Sequence, residues 1–217
     1  MQPLARAATR LVLFGPPCCG KGTLAPRLVQ RLQIPHISTG EIFRTHMKGH
    51  SHFGEEIKHC MQEGNFVPDD LVTRVTFEVL SKTSRRFLLD GYPRNVKQAE
   101  TLAKEYGWPD VVHLEADDDT IINRLVNRIN CSCCGLVFNQ LFNPPKIENT
   151  CDSCGGELYK RDDDTIEIAQ QRLKKYHTET EPVIALFQRN CAVIKIHTGN
   201  LTPDEITHRV MEEIVLE

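Results

Sequence analysis

The sequence predicts an α/β chain, a parallel sheet covered by helices on both faces and interrupted by two insertions. Three observations predict it. Short apolar runs alternate with helical patterns over most of the 217 residues. A glycine-rich loop joins the first apolar run directly to the first helical one. Two stretches, 38 to about 80 and 131 to about 160, break the alternation and read as insertions on the core. Helices that alternate with strands serve as crossovers, which makes the strands parallel and buries both faces of the sheet.

The strand-like runs are Leu11 to Phe14, Phe87 to Leu89, Val111 to Leu114 and Ala192 to Ile196, each bounded by turn or charged residues. Helical patterns cover Lys21 to Leu32, Asn95 to Tyr106, Asp118 to Arg128 and Ile166 to Arg189. "TPDE" at 202 to 205 opens a last helix with a cap residue, a proline and two acids. The first insertion is helical without a long strand. The second, rich in Cys, Gly, Asn and Pro, holds no helical pattern.

Composition narrows the function. Hydrophobic and charged fractions of 40% and 25% are those of a globular protein with a substantial core. A net charge of −3 argues against a general nucleic-acid binder. No apolar run approaches the roughly 18 residues of a membrane span. "MQPLARAATR" has two arginines and no acid, lacks the apolar segment of a secretory signal, and is short for a transit peptide. A cytoplasmic protein is expected, with an organelle left open. The nine cysteines, an odd number, speak against a disulfide framework.

"RLVLFGPPCCGKGT" sets an apolar strand before a glycine loop and a helix after it. Backbone N–H groups and the helix N-terminus then point at one anion, the arrangement of a phosphate-binding loop. Gly15 and Gly20 are its outer glycines, and Lys21 reaches the β- and γ-phosphates. The strict motif wants Ser or Thr next; here Gly22 intervenes and Thr23 follows. A chance glycine turn is the alternative. Cys18 and Cys19 occupy tolerant positions, and a small side chain fits if φ stays negative. Two readings of their thiols stand: reactive groups activated by amide dipoles and Lys21, or inert fillers.

"GKGT", "ISTGEIFR" (37 to 44), "GNFVPDDLV" (64 to 72), "FLLDGYPRNVKQA" (87 to 99), "FNPPK" (142 to 146) and "RDDD" (161 to 164) follow in order over nearly the whole chain. Together they resemble the adenylate kinases, which interconvert ATP plus AMP with two ADP. The resemblance implies a P-loop NTPase-like parallel five-stranded sheet flanked by helices, with a helical NMP-binding insertion and a zinc-bearing lid insertion. The core would be residues 1–37, 68–130 and 162–217, the NMP-binding insertion 38–67 and the lid 131–161.

Matched motifs also imply roles. Arg44 and Arg94 resemble acceptor-phosphate clamps. Arg124, Arg128, Arg161 and Arg172 resemble lid and hinge arginines that close over the phosphates, with a solvated helix face as the alternative for each. Thr39, Gly91 and Gln98, with the backbone of Asn65, Phe66 and Val67, would surround the acceptor base. A glutamine amide offers the donor and acceptor that suit the N6 and N1 edge of adenine. Val137, Phe138 and the backbone near Asn200 would line the donor base, although "IHTGN" departs from the usual "DG" pattern and leaves ATP against GTP open. Asp90, ending an apolar run beside the loop, is placed to orient Mg2+, with a surface cap at the strand end as the alternative. Asp163 and Asp164 either pair with arginines or serve as helix N-terminal charges. Expected partners are ATP, AMP and ADP, with no nucleic acid or membrane, and the chain is expected to be a monomer.

Cys131, Cys134, Cys151 and Cys154 form C-x2-C-x16-C-x2-C, each half closing on glycine. Short hooks turning on glycine suit four thiolates around one structural Zn2+. Disulfides, free thiols and an iron–sulfur cluster are the alternatives, and Cys133 is a competing neighbour. Cys60 and Cys191 read as packing residues; His46, His50, His52 and His59 read as a solvated face. Other functions left open are a GTP:AMP phosphotransferase and a zinc-ribbon binding module switched by nucleotide.

Overall fold

The computed structural model describes residues 10–48, 67–83, 85–199 and 201–216. Its chain order is β1 (Arg10–Phe14), α1 (Lys21–Leu32), β2 (His36–Ser38), α2 (Thr39–Lys48), α3 (Asp69–Leu80), β3 (Phe87–Asp90), α4 (Val96–Tyr106), β4 (Asp110–Glu115) and α5 (Asp118–Val126). Then come β5 (Arg128–Cys131), β6 (Val137–Asn139), β7 (Leu158–Tyr159), α6 (Ile166–Lys175), a π-helical turn (Tyr176–Thr180), α7 (Val183–Asn190), β8 (Val193–His197) and α8 (Pro203–Leu216).

Five strands form one parallel sheet in the order β2-β3-β1-β4-β8. The chain leaves β1 for one side of the sheet and reaches the other side only after β3. A crevice therefore opens where the order reverses, beyond the carboxyl ends of the strands. Side chains of β1 alternate between two cores. Val12 and Phe14 join Leu89, Val111 and Phe187 on one face, while Leu11 and Leu13 join Leu28, Leu88 and Val112 on the other. Burial on both faces explains why these strands read as apolar runs.

The second insertion is a separate antiparallel sheet in the order β6-β5-β7. Its core is small: Ile129, Cys131, Phe138, Cys151 and Leu158. Among the described residues no helix is long and apolar enough to cross a membrane.

Several expected boundaries move. The three residues of β2 were not expected as a strand; only Ile37 among them is buried, too little pattern to read. The helix expected to reach Arg128 ends at Val126, and Arg128 instead opens β5 opposite Asn139. Ile166 to Arg189 is not one helix. It passes through the π-helical turn and breaks at Pro182, which has no N–H with which to continue. The "TPDE" start forms as expected: Thr202 Oγ1 accepts from the Glu205 amide at 3.3 Å, and Glu205 Oε2 accepts from the Thr202 amide at 2.7 Å.

A cationic cleft and a cysteine cluster

The glycine loop connects β1 to α1. Gly15 has φ +139, and a Cβ there would stand 2.2 Å from the Leu114 carbonyl oxygen, so no side chain fits. Cys18 has φ +57, which overturns the expectation of a negative φ. The loop imposes a left-handed conformation on a residue that prefers otherwise. Cys19 is fully buried, and burial pushes its thiol up from the ordinary range. Its place in the core and its raised thiol favour the filler reading of Cys19 over the activated one. Cys18 is half-buried and accepts from Arg128 Nη1 at 3.3 Å. Lys21 folds over the loop, its ammonium donating to the carbonyls of Gly15 at 2.8 Å and Pro16 at 2.7 Å.

A cleft of about 1070 Å³ opens from this loop. Gly15, Cys18, Cys19, Gly20, Lys21, Gly22, Thr23, Arg124, Arg128, Val137 and Phe138 line it. So do Thr39, Arg44, Val67, Asp90, Gly91, Arg94, Gln98, Arg161 and Arg172. Arg44 and Gln98 aside, these positions lie in loops or near element ends, where a sheet of this topology presents them. Asn65, Phe66 and Asn200 lie outside the described residues, as do Cys60, His50, His52 and His59. His46 is half-buried. Cys191 packs against the core, donating to the Phe187 carbonyl at 3.3 Å, and burial pushes its thiol up to about 12.

Seven cationic side chains and three carboxylates line the cleft among the described residues. Burial lowers the pKa of Arg44 and Arg124. Burial and then Arg172 lower Arg94, while burial, Arg128 and Arg44 bring Arg161 down to about 10. Arg44, Arg94 and Arg161 each also face a neighbouring arginine, a repulsion that a polyanion entering the cleft would relieve. Arg128 and Arg172 are paired with carboxylates. Asp164, fully buried, takes Arg128 by both oxygens, and Asp163 takes Arg172. Against its burial, Asp163 is held below the ordinary carboxylate range by Arg172. The two acids pair with arginines, and Thr165 caps α6 instead.

Arg161 Nη2 donates to Asn130 Oδ1 at 2.6 Å, while Arg161 Nε has no partner among the described residues. Arg124 is held by Thr198 through its hydroxyl at 3.0 Å and its carbonyl at 2.9 Å. Thr198, fully buried, also donates to the Cys19 carbonyl at 3.0 Å, tying Arg124 to the loop. Sequence reasoning missed Asn130 and Thr198, which no spacing betrays. It also missed Phe142, whose ring centre lies 5.8 Å from the Arg124 guanidinium carbon and whose side is exposed to the cleft. An aromatic inside "FNPPK" was the available signal.

Gly91 has φ +85, and a Cβ there would stand 2.5 Å from Thr39 Oγ1. The backbone therefore passes close beside Thr39. Gln98, almost fully buried, accepts from the Arg94 amide at 2.7 Å and donates to Asp69 Oδ1 at 2.6 Å.

In the antiparallel sheet, the sulfurs of Cys131, Cys134, Cys151 and Cys154 lie within 4.8 Å of one another and could hold a metal ion. Their two hooks repeat one geometry. The Cys131 amide donates to the Leu136 carbonyl at 2.9 Å, and the Cys151 amide to the Gly156 carbonyl at 2.9 Å. Each hook turns on a left-handed glycine, Gly135 at φ +73 and Gly155 at φ +71. Cys133 is exposed and stands outside the cluster.

The family model for adenylate kinase matches residues 13–192. An adenylate kinase of Streptomyces lividans is 44% identical over 194 residues, 86% of this chain and 97% of that protein. One from Streptomyces avermitilis is 42% identical over 217 residues, covering 96% of this chain and 98% of its own. One from Thermosipho africanus is 38% identical over 213 residues, covering 94% and 98%.

Proposed function

The chain belongs to the adenylate kinase family of nucleoside monophosphate kinases, and from that premise we propose that it transfers the terminal phosphoryl group of ATP to AMP, giving two ADP and balancing adenine nucleotides. One observation carries the reading: the phosphate loop, Lys21 and six arginines converge on one cleft that also holds Thr39 and Gln98. A switch protein needs one nucleotide site; this cleft has chemistry for two.

The acceptor is a phosphate monoester whose second pKa is near 6, so it is already charged at neutral pH. No base is required. The task is to hold two polyanions in line and offset the charge that spreads over the moving group. Lys21 exchanges the carbonyls of Gly15 and Pro16 for donor phosphate oxygens, joined by the amides of residues 18 to 23. Arg44 and Arg94 hold the acceptor phosphate. Arg124, Arg161 and Arg172 meet the transferred group, and Arg128, bound to Asp164, supports them. Val137, Phe138 and the backbone at Asn200 line the donor base; Asn65, Phe66, Val67, Gly91, Thr39 and Gln98 line the acceptor base.

Asp90, the last residue of β3, offers the oxygen ligand a hard cation takes, and Mg2+ bound there would supply charge neutralisation on the phosphate oxygens. The cysteine cluster suits Zn2+. A tetrahedral ion with Zn–S near 2.3 Å spaces its sulfurs about 3.8 Å apart, and two pairs in the cluster stand at 3.4 Å and 3.6 Å. Four thiolates leave no open position, so this ion is structural. The reading divides the chain into a core (1–37, 68–130, 162–217), an NMP-binding insertion (38–67) and a lid (131–161), acting as a cytoplasmic monomer.

The test is ADP formation from ATP with AMP, CMP, UMP and GMP compared, repeated with GTP as donor. AMP with ATP is expected to be the best pair by at least tenfold. ATP hydrolysis indifferent to every added monophosphate overturns the reading.

A further inference from the structure

Gln98 carries the acceptor-base selection proposed above, and the inference rests on that reading. An amide can read adenine only if it points the right way. Adenine presents an N6 donor beside an N1 acceptor. Hypoxanthine, the base of IMP, presents an O6 acceptor beside an N1 donor. One orientation of a glutamine amide suits the first, and a half-turn of the same amide suits the second. A free glutamine would therefore discriminate poorly.

Gln98 is not free. The Arg94 amide can only donate, and it meets Gln98 Oε1 at 2.7 Å. The carboxylate of Asp69, the first residue of α3, can only accept, and it meets Gln98 Nε2 at 2.6 Å. A half-turn would set carbonyl against carboxylate and amine against amide N–H, leaving both buried pairs repulsive. The orientation is thus fixed from two sides. Each end keeps one unspent capacity, a second proton on Nε2 and a second lone pair on Oε1, for the base.

Asp69 is itself anchored. Asn95 Nδ2 donates to Oδ1 and Oδ2, each at 2.9 Å, while Asn95 Oδ1 accepts from the Gln98 amide N–H at 2.9 Å and caps α4. Tyr92 Oη donates to the Gln98 carbonyl at 3.2 Å. Backbone and side chain of Gln98 are therefore held by the same small network. We propose that Asp69 is a positioning residue for acceptor-base selection: it touches no substrate, and by locking the Gln98 amide it makes the site an adenine reader and excludes the 6-oxopurines.

The experiment compares kcat/KM for AMP and IMP, with ATP as donor, in wild type, Gln98→Leu, Asp69→Leu and Asp69→Asn. Asp69→Leu removes the acceptor and is expected to reduce the AMP:IMP preference about tenfold through the acceptor KM values, with the KM for ATP unchanged. Asp69→Asn keeps a carbonyl oxygen for Gln98 Nε2 and is expected to hold the wild-type ratio within about twofold. A merely structural role lowers activity toward both acceptors together and leaves their ratio unchanged, which overturns the proposal; so does loss of the ratio in Asp69→Asn to the same extent as in Asp69→Leu. Should Asp69→Leu not accumulate as folded protein, Asp69→Ala is read in its place. A wild type indifferent to AMP against IMP, or a ratio untouched by Gln98→Leu, defeats the acceptor-site reading itself. A preference that Gln98→Leu abolishes and Asp69→Leu preserves defeats only the role of Asp69.

Discussion

The two sheets of this molecule are stabilised by different means. The parallel sheet buries Val12, Leu88, Val111 and Val112 completely, between two layers of helices. The antiparallel sheet has a core of five buried hydrophobic side chains, two of which belong to the cysteine cluster, and its exposed surface carries Leu141, Phe142 and Ile147. A sheet of that size is too small to be stable on apolar burial alone. The same chain uses hydrophobic volume where it has two layers, and where it has one thin sheet it places four cysteines that could hold a metal ion. Three perturbations separate the two.

Removing the proposed zinc should have the largest effect, because zinc binding by four thiolates is worth on the order of 10 kcal/mol and that energy is folding energy for a small site. Chelation or Cys151→Ser is expected to collapse amide protection over residues 128–161, leave the parallel sheet protected in hydrogen exchange, and cut turnover by at least about 100-fold. Loss of protection spread evenly over both sheets would refute the division. Leu88→Ala should do the reverse. It empties a fully buried site, costs about 2–5 kcal/mol of global stability in denaturant titration, and leaves zinc content at one per chain. Smallest is the seam between the two, where Cys18 meets Arg128. Cys18→Gly relieves a left-handed non-glycine residue and should raise stability by about 1 kcal/mol, seen as a higher midpoint in denaturant. A fall in stability would show that the sulfur's contact with Arg128 outweighs the backbone cost.

The parallel sheet was legible because its strands are buried on both faces, which writes them as unbroken apolar runs. The phosphate loop and the cysteine hooks were legible because each is local: a few residues at fixed spacing determine a turn. β2 escaped because three residues with one buried side chain carry no period. Arg128 was expected at a helix end, but pairing with Asn139 drew it into a strand. The partners of the functional side chains were least legible. Asn130 meets Arg161 across 31 residues, and Asp69 meets Gln98 across 29. Contacts between elements that become neighbours only after folding leave no mark on local sequence. Cys18 shows the converse case, in which the residue type was visible and the backbone angle imposed on it was not.

The excursion that forms the smaller sheet departs at Arg128 and returns at Arg161, and both ends are fastened side by side, one to Asp164 and the other to Asn130. Nothing in the route of the parallel strands depends on what the chain does in between. The stretch is joined to the parallel core as a cuff is to a sleeve, so a change within it need not reach the floor of the cleft so long as the two fastenings hold.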